Sequence, residues 1–330
     1  MRPVILFIIA AGLLVLVSGG LLWWSAGPAV PYTDDGRVPV ATTLFPLYDM
    51  VQAIGGEAVQ VHLILPAGAD AHGFDPSPGD MQTLRRSALL VYTGAAMEPW
   101  VGRVRGVLGR RGPRLVDASG GLLGRLSGHH HGGCDGHDHH HDHDHDHDVD
   151  PHIWLDLGLA QDMVTVIADA LAAHDPPRAA DYAQRAAGYR QRLAELDEEI
   201  RQALAAVRVR TIISAGHFAF GRFAARYGLE HRSPYRGFGH DGEPTARAMA
   251  TLLETLRQQQ ARHVFHEEVL PGAVARVLAE EAGVGLLRLH PGHNLSAAER
   301  AQGLDFISLM RANLEILRQG LDDGASSDEP

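Results

Sequence analysis

The apolar residues of this chain alternate between short strand-like runs and longer helix-like runs. Residues 38–45 (VPVATTLF), 59–65 and 88–92 predict buried strands, and residues 46–54 and 81–87 predict helices between them. The same rhythm returns later, with strands predicted at 211–214, 263–265 and 285–289 and helices at 217–227, 244–259, 272–282 and 301–319. Strands that alternate with helices form parallel sheets covered by helices, so the sequence predicts an α/β fold of two β/α domains.

One segment departs from this rhythm. Residues 177–207 carry apolar or small side chains near helical spacing, with charged residues between them. A helix of up to ~30 residues would be ~45 Å long, which is more than one small domain needs. We therefore expect a single long, rigid helix that joins the two domains, with a ligand site in the cleft between them.

This pattern divides the chain into six parts. They are an N-terminal segment (1–27), a linker (28–37), an N-terminal β/α domain (38–176), the connecting helix (177–207), a C-terminal β/α domain (208–321) and a disordered tail (322–330). The first part contains an uncharged apolar run, residues 4–24, which is long enough to span a bilayer. It predicts export to the periplasm, either by a cleaved signal or with an uncleaved anchor at the outer face of the inner membrane.

The charge balance limits the classes of partner. The formal net charge is -11, and no basic stripe is present that could replace phosphate counterions, so we expect no nucleic-acid partner. A single cysteine, Cys134, excludes an internal disulfide. It is either an accessory metal ligand or an incidental residue of a tolerant loop.

A His-rich loop interrupts the N-terminal domain. Residues 129–148 (HHHGGCDGHDHHHDHDHDHD) contain ten of the 21 histidines, alternating with aspartates. Such a segment cannot bury an apolar core, so we expect a solvated loop. Neutral imidazole is the commonest protein ligand for zinc, so the loop predicts loose, multiple binding of divalent metal.

Four other histidines lie where predicted elements meet. His72 follows the second strand within PAGADAHGFDPSPGD, and His152 follows the His-rich loop within DPHIWLD. His217 lies at a strand-to-helix junction within GHFAFGRFAARYGL, and His290 ends the last strand. Ligands collect at the carboxyl ends of parallel strands, so these positions are consistent with one shared cleft.

Taken together, these motifs resemble a known family. They resemble the metal-binding solute receptors of bacterial ABC importers, in the group that binds zinc or manganese. The motifs that carry the resemblance occur in the same order: PAGADAHGFDPSPGD, MEPW, DPHIWLD, GHFAFGRFAARYGL and the closing DFISLMRANLEILRQGL. The likeness runs from about residue 38 to residue 321. A His-rich insertion just before DPHIWLD, the motif of the second ligand, is typical of the zinc-receiving branch.

The resemblance implies a set of metal ligands. His72, His152 and His217 correspond to family ligands, and His290 is expected to be the fourth, with His293 as the alternative. Glu267 aligns with a family glutamate near the site, where it would support a ligand or replace one. Alternatively, Glu267 is an ordinary capping or solvated carboxylate with no role in the site.

A site of four neutral nitrogen donors suits tetrahedral Zn(II), whereas Mn(II) prefers oxygen-rich coordination. The resemblance therefore implies a monomeric receptor that captures Zn(II) and delivers it to a membrane permease. The alternatives are a periplasmic zinc buffer without a permease and, less favoured, a manganese receptor. A zinc hydrolase would need an open coordination position and a general base, and the sequence contains no HExxH motif, so no catalytic residues are expected.

Overall fold

The computed structural model describes residues 32–123, 149–216, 219–235, 244–267 and 272–322. The predicted N-terminal segment (1–27), the His-rich loop with Cys134, the ligand candidate His217 and residues 323–330 lie outside the described residues. Within the described ranges, no helix combines the length and apolar character required to cross a bilayer.

The N-terminal lobe is built on a parallel sheet of four strands. The strands are β1 (Val38–Thr42), β2 (Val59–Leu63), β3 (Leu89–Tyr92) and β4 (Arg114–Asp117), arranged in the order β2-β1-β3-β4. Among the described residues, the helices that accompany the sheet include α1 (Phe45–Gly55), α2 (Pro78–Arg86), α3 (Trp100–Leu108) and α4 (Leu157–His174). Helices α2 and α3 form a small apolar cluster with β1 and β3 around Leu84, Leu90 and Trp100. Helices α1 and α4 contribute to the main core.

The long connecting helix is present as expected. Helix α5 (Ala179–Ala205) has 27 residues, which corresponds to a length of about 40 Å. Its buried side chains, including Tyr182, Tyr189, Leu193 and Ile200, recur at helical spacing. This face packs against α1 and α4 of the N-terminal lobe and against the last helix of the chain. The helix therefore contacts both halves of the molecule along its length.

The C-terminal lobe contains two pairs of parallel strands. Strand β5 (Thr211–Ile213) pairs with β6 (Glu230–Arg232), and β7 (His263–His266) pairs with β8 (Gly285–Arg288). A bridge between Ser214 and Phe265 brings the two pairs side by side. The helices of this lobe are α6 (Gly221–Arg226), α7 (Ala246–Gln258), α8 (Ala273–Ala282), α9 (Ala297–Ala301) and α10 (Phe306–Asp322).

The α/β architecture predicted from the sequence is confirmed, but two helices begin clearly later than predicted. Helix α6 starts at Gly221 rather than at residue 217. Helix α10 starts at Phe306 rather than at residue 301. Gly303, two residues after the end of the short helix α9, has a positive φ of 69°, a conformation that favours glycine and does not continue a helix. Asp305 then accepts a hydrogen bond from the backbone N–H of Ser308 at 2.6 Å, which satisfies a free donor of the first turn.

Candidate metal centre

His72 and His152 face each other at the carboxyl-terminal edge of the N-terminal sheet. Their Nε2 atoms are 3.3 Å apart, and their ring centroids are separated by 5.3 Å. His72 lies in the loop after β2, where its backbone N–H donates to Asp70 Oδ1 at 3.1 Å. His152 lies 80 residues further along the chain and is fully buried. The fold thus brings together two of the histidines that the sequence singled out.

The separation of the two Nε2 atoms fits a shared zinc ion. Zinc binds imidazole nitrogen at about 2.0 to 2.1 Å in tetrahedral geometry, so two nitrogens on one ion lie about 3.3 to 3.4 Å apart. The distance of 3.3 Å between His72 and His152 matches this value. These two side chains are therefore spaced as two ligands of one tetrahedral ion.

Asp150 fixes the orientation of the His152 ring. Its Oδ1 atom lies 2.8 Å from His152 Nδ1 and accepts the backbone N–H of His152 at 3.0 Å. A carboxylate opposite Nδ1 keeps the proton on that nitrogen, which leaves the lone pair on Nε2, the atom that faces His72. An outer carboxylate of this kind also makes the imidazole a stronger donor to a metal.

Trp154 connects the His152 motif with the C-terminal lobe. Its fully buried ring meets the His152 ring edge-on at a centroid distance of 5.3 Å, and its Nε1–H donates to the carbonyl of Pro291 at 2.9 Å. The next residue, Gly292, has a φ of 76°, a conformation that favours glycine. The segment that follows β8 is therefore packed directly behind His152.

The same segment also reaches the loop that carries His72. Asn294 donates through Nδ2 to the carbonyls of Pro66 and Ala69 at 2.6 and 2.9 Å. The carbonyl of His293 accepts the backbone N–H of Phe45 at the start of α1, at 2.9 Å. His293 itself is 2% exposed. Residues 291–295 thus form a bridge from the C-terminal lobe to the edge of the N-terminal sheet where His72 and His152 lie.

His290, expected as the fourth ligand, is oriented by its own surroundings. Its Nδ1 accepts the backbone N–H of Gly292 at 3.0 Å, and its Nε2 lies 3.6 Å from Glu299 Oε2. In a neutral ring, an accepting Nδ1 leaves the proton on Nε2, and a protonated nitrogen cannot bind a metal. The His290 ring would have to lose these contacts before it could serve as a ligand.

The described residues bring together only part of the predicted site. Within residues 32–123, 149–216, 219–235, 244–267 and 272–322, no group of three or more His, Cys, Asp or Glu side chains is placed to hold a metal ion. His72 and His152 form a pair, and His217 lies outside the described ranges. Glu267 follows β7 and is 3% exposed.

A contact not anticipated from the sequence links Asp150 to the helix that follows His217. The backbone N–H of Arg222 donates to Asp150 Oδ2 at 3.1 Å, and Arg222 Nε donates to the carbonyl of Asp150 at 2.7 Å. The sequence did offer a signal for Asp150, which lies two residues before His152, because histidine ligands of metals commonly donate their second ring N–H to a carboxylate. Nothing in the sequence indicated Arg222 as its partner.

A buried carboxylate stabilises the strand ends beside the site. Glu98, which is 2% exposed, accepts hydrogen bonds from Thr43 Oγ1 at 2.6 Å and from the backbone N–H groups of Thr93 and Gly94, both at 3.1 Å. Burial raises the pKa of Glu98 to about 7, against the opposing effect of these hydrogen bonds. Glu98 therefore joins the carboxyl ends of β1 and β3.

Comparison with known proteins finds relatives of this chain among zinc-binding and zinc-uptake proteins. Residues 40–320 match the family model described as zinc-uptake complex component A, periplasmic. The zinc-binding protein AdcA of Streptococcus pyogenes serotype M3 is 33% identical over 301 residues, which cover 89% of this chain and 58% of AdcA. The high-affinity zinc uptake system protein ZnuA of Bacillus subtilis is 31% identical over 317 residues, which cover 96% of this chain and 97% of that protein.

Solved structures show the same fold. The Zn(II)-bound ZnuA-like domain of Streptococcus pneumoniae AdcA superimposes with a TM-score of 0.70 at 27% identity, covering 87% of this chain and 100% of that domain. The metal-dependent lipoprotein YcdH of Bacillus subtilis gives a TM-score of 0.70 at 29% identity, covering 86% of this chain and 99% of YcdH. The chain spans 58% of the length of the streptococcal AdcA proteins that it matches. It belongs to the ZnuA family, the periplasmic A components of zinc-uptake complexes.

Proposed function

We propose that this chain is the extracytoplasmic receptor of a zinc importer. It captures Zn(II) outside the cytoplasmic membrane and delivers the ion to the permease of an ABC transporter. The observation that carries the proposal is the 3.3 Å separation of His72 Nε2 and His152 Nε2, which suits two ligands of one tetrahedral ion. The names of the relatives, zinc-binding and zinc-uptake proteins, support zinc as the cargo.

The proposed ligands come from both lobes. His72 and His152 provide two nitrogen donors from the N-terminal lobe, and His217, by its match to the family motif, provides the third from the segment after β5. For the fourth position we propose His293 rather than His290, because His290 Nδ1 accepts the Gly292 N–H and its Nε2 lies 3.6 Å from Glu299. Glu267 is kept as an outer partner of the site. Four neutral nitrogens select Zn(II) over Mn(II), which prefers oxygen donors.

Delivery requires that the ligands from the two lobes separate. The long helix α5 packs against α1, α4 and α10, so it resists a wide hinge motion between the lobes. We infer that the ion leaves by local movement of the ligand segments. The His-rich loop at 129–148 adjoins the second ligand motif and would act as an accessory that collects metal.

Four protein ligands would close the coordination sphere and leave no position for a reacting water, so the proposal is a receptor and not a hydrolase. We further propose that the receptor acts as a monomer, without a nucleic-acid partner, and that it is held in the periplasm or at the outer face of the inner membrane. Its partner is the permease.

Uptake of radioactive zinc by cells that lack the gene tests this function. The wild-type chain should restore uptake, whereas a chain with both His72→Ala and His152→Ala should not. His174→Ala, an exposed histidine at the end of α4, is the matched control and should restore uptake fully. If the wild-type chain binds zinc but uptake does not depend on it, the chain is a zinc buffer and the importer proposal fails.

A further inference from the structure

The two oxygens of the Asp150 carboxylate accept hydrogen bonds from different lobes. Oδ1 accepts from His152, through both the ring Nδ1 and the backbone N–H, at 2.8 and 3.0 Å. Oδ2 accepts the backbone N–H of Arg222 in the C-terminal lobe at 3.1 Å. The Asp150 side chain is 12% exposed, so these contacts are largely shielded from water.

The Arg222 side chain closes a second contact to the same residue. Its Nε donates to the Asp150 carbonyl at 2.7 Å, so Arg222 holds Asp150 through both its backbone and its guanidinium. Arg222 lies five positions after His217 and belongs to helix α6, which begins at Gly221. Arg222, which follows the proposed third ligand His217 in the sequence, thus contacts Asp150, the residue that orients the proposed second ligand His152.

Binding of a cation at His152 Nε2 would strengthen this arrangement. A metal ion draws electron density from the imidazole, so Nδ1–H becomes a better donor and its hydrogen bond to a carboxylate becomes stronger. The Asp150 carboxylate is then held more firmly, and its other oxygen presents a fixed acceptor to Arg222. Occupancy of the metal site would in this way affect helix α6.

We propose that Asp150 and Arg222 form an interlobe latch that sets how fast zinc leaves. Both are positioning residues, since neither is among the proposed ligands. The inference rests on the proposed zinc site that includes His152. The coupling is reciprocal: if bound zinc stabilises the latch by a given factor, the closed latch raises the affinity for zinc by the same factor.

The test compares zinc release from the full chain and from single variants. The dissociation rate is measured by mixing the zinc-loaded protein with excess chelator. Arg222→Ala removes the guanidinium contact but leaves the backbone N–H and all proposed ligands in place, so zinc should dissociate roughly 3 to 10 times faster. Asp150→Asn removes the charge opposite Nδ1–H and should weaken zinc binding by about 10 to 100 times, the usual effect of losing an outer partner of a ligand histidine. Arg222→Lys can still donate to the Asp150 carbonyl and should recover much of the wild-type rate.

Arg318→Ala is the matched control. Arg318 also lies in the C-terminal lobe, but its contact is an exposed pair with Glu315 at 3.4 Å, so zinc release should not change. Hydrogen exchange of the backbone amides at 221–226 adds a second readout. In the wild-type chain these amides should exchange more slowly with zinc bound than without it, and Arg222→Ala should reduce that difference.

The outcomes separate the latch from the zinc site. If His152→Ala binds zinc as tightly as the wild-type chain, the proposed zinc site fails, and the latch fails with it. If His152→Ala loses zinc while Arg222→Ala releases it at the wild-type rate, the zinc site stands and the latch is overturned. Equal protection of residues 221–226 with and without zinc would also overturn it.

Discussion

Arg226 on helix α6 forms two hydrogen bonds with Asp197 on the long helix α5. Nε donates to Oδ1 at 2.7 Å, and Nη2 donates to Oδ2 at 2.6 Å. The third nitrogen, Nη1, donates to Asp156 Oδ1 at 2.8 Å, and Asp156 caps the first turn of α4. One guanidinium therefore joins the long helix, the end of the DPHIWLD motif and the C-terminal lobe.

Replacing Arg226 with alanine should destabilise the fold. Burial alone would raise the pKa of Asp197, but hydrogen bonds from Arg226 and Tyr227 and the charge of nearby arginines outweigh that effect and hold this pKa below its usual value. Arg226→Ala removes two hydrogen bonds and a positive charge from the Asp197 carboxylate, which stays largely buried. The free energy of unfolding should therefore fall by about 2 to 3 kcal/mol. Urea titration of the zinc-free protein measures it. Arg232→Ala, which breaks an exposed pair with Glu230, should change it by less than about 0.5 kcal/mol. Equal effects of the two substitutions would refute this role.

Glu98 should make stability depend on pH near neutrality. Burial raises its pKa to about 7 in the folded protein, whereas the unfolded chain releases the proton near its ordinary value of about 4.3. The folded state therefore binds the extra proton, and its contribution to stability is present below about pH 4 and lost as pH rises to about 7. Relative to Glu98→Gln, the wild-type protein should lose up to about 3 kcal/mol between pH 4.5 and 8. Unfolding curves of both proteins in chelator measure this, and parallel pH profiles would contradict it.

Trp154→Phe should weaken the junction behind His152. The substitution keeps an aromatic ring but removes the Nε1–H that donates to the Pro291 carbonyl at 2.9 Å. The acceptor, in a buried segment, then loses its partner, which costs about 1 to 3 kcal/mol. Hydrogen exchange of residues 290–295 and thermal unfolding check this. Unchanged exchange in that segment would show that the indole contact does not hold it.

His293 and His290 should differ in their importance for zinc. His293→Ala should weaken zinc binding by at least tenfold, because it removes a proposed donor. His290→Ala should have a smaller effect on affinity, because its Nδ1 is bonded to Gly292 N–H and its Nε2 faces Glu299. Competition with a zinc chelator gives both affinities. A larger loss of zinc affinity in His290→Ala than in His293→Ala would instead support His290 as the fourth ligand, as expected from the sequence.

The order of strands and helices could be predicted because their apolar patterns are regular, but some elements were missed. Helix α4 (Leu157–His174) was not predicted, since it is packed between α1 and α5 and has few polar positions to mark a helical face. Helix α2 begins at Pro78 rather than at residue 81. The Ser77 and Asp80 capping box was a readable signal for that start.

Only the part of the candidate site that lies beside recognisable motifs could be anticipated from the sequence. The rings of His72 and His152 lie close together, although 80 residues separate them. The environment of His290 was not predictable, since it depends on the turn at Gly292 and on Glu299 nine residues later. The contact of Arg222 with Asp150 is likewise a product of tertiary packing.

The most direct test of the central claim is a zinc titration of the chain lacking residues 129–148, with and without the pair His72→Ala and His152→Ala. The account predicts one tightly bound zinc per chain in the deletion protein and its loss in the double variant. If the deletion abolishes tight binding, or if the double variant retains it, the claim that zinc is held between His72 and His152 is contradicted.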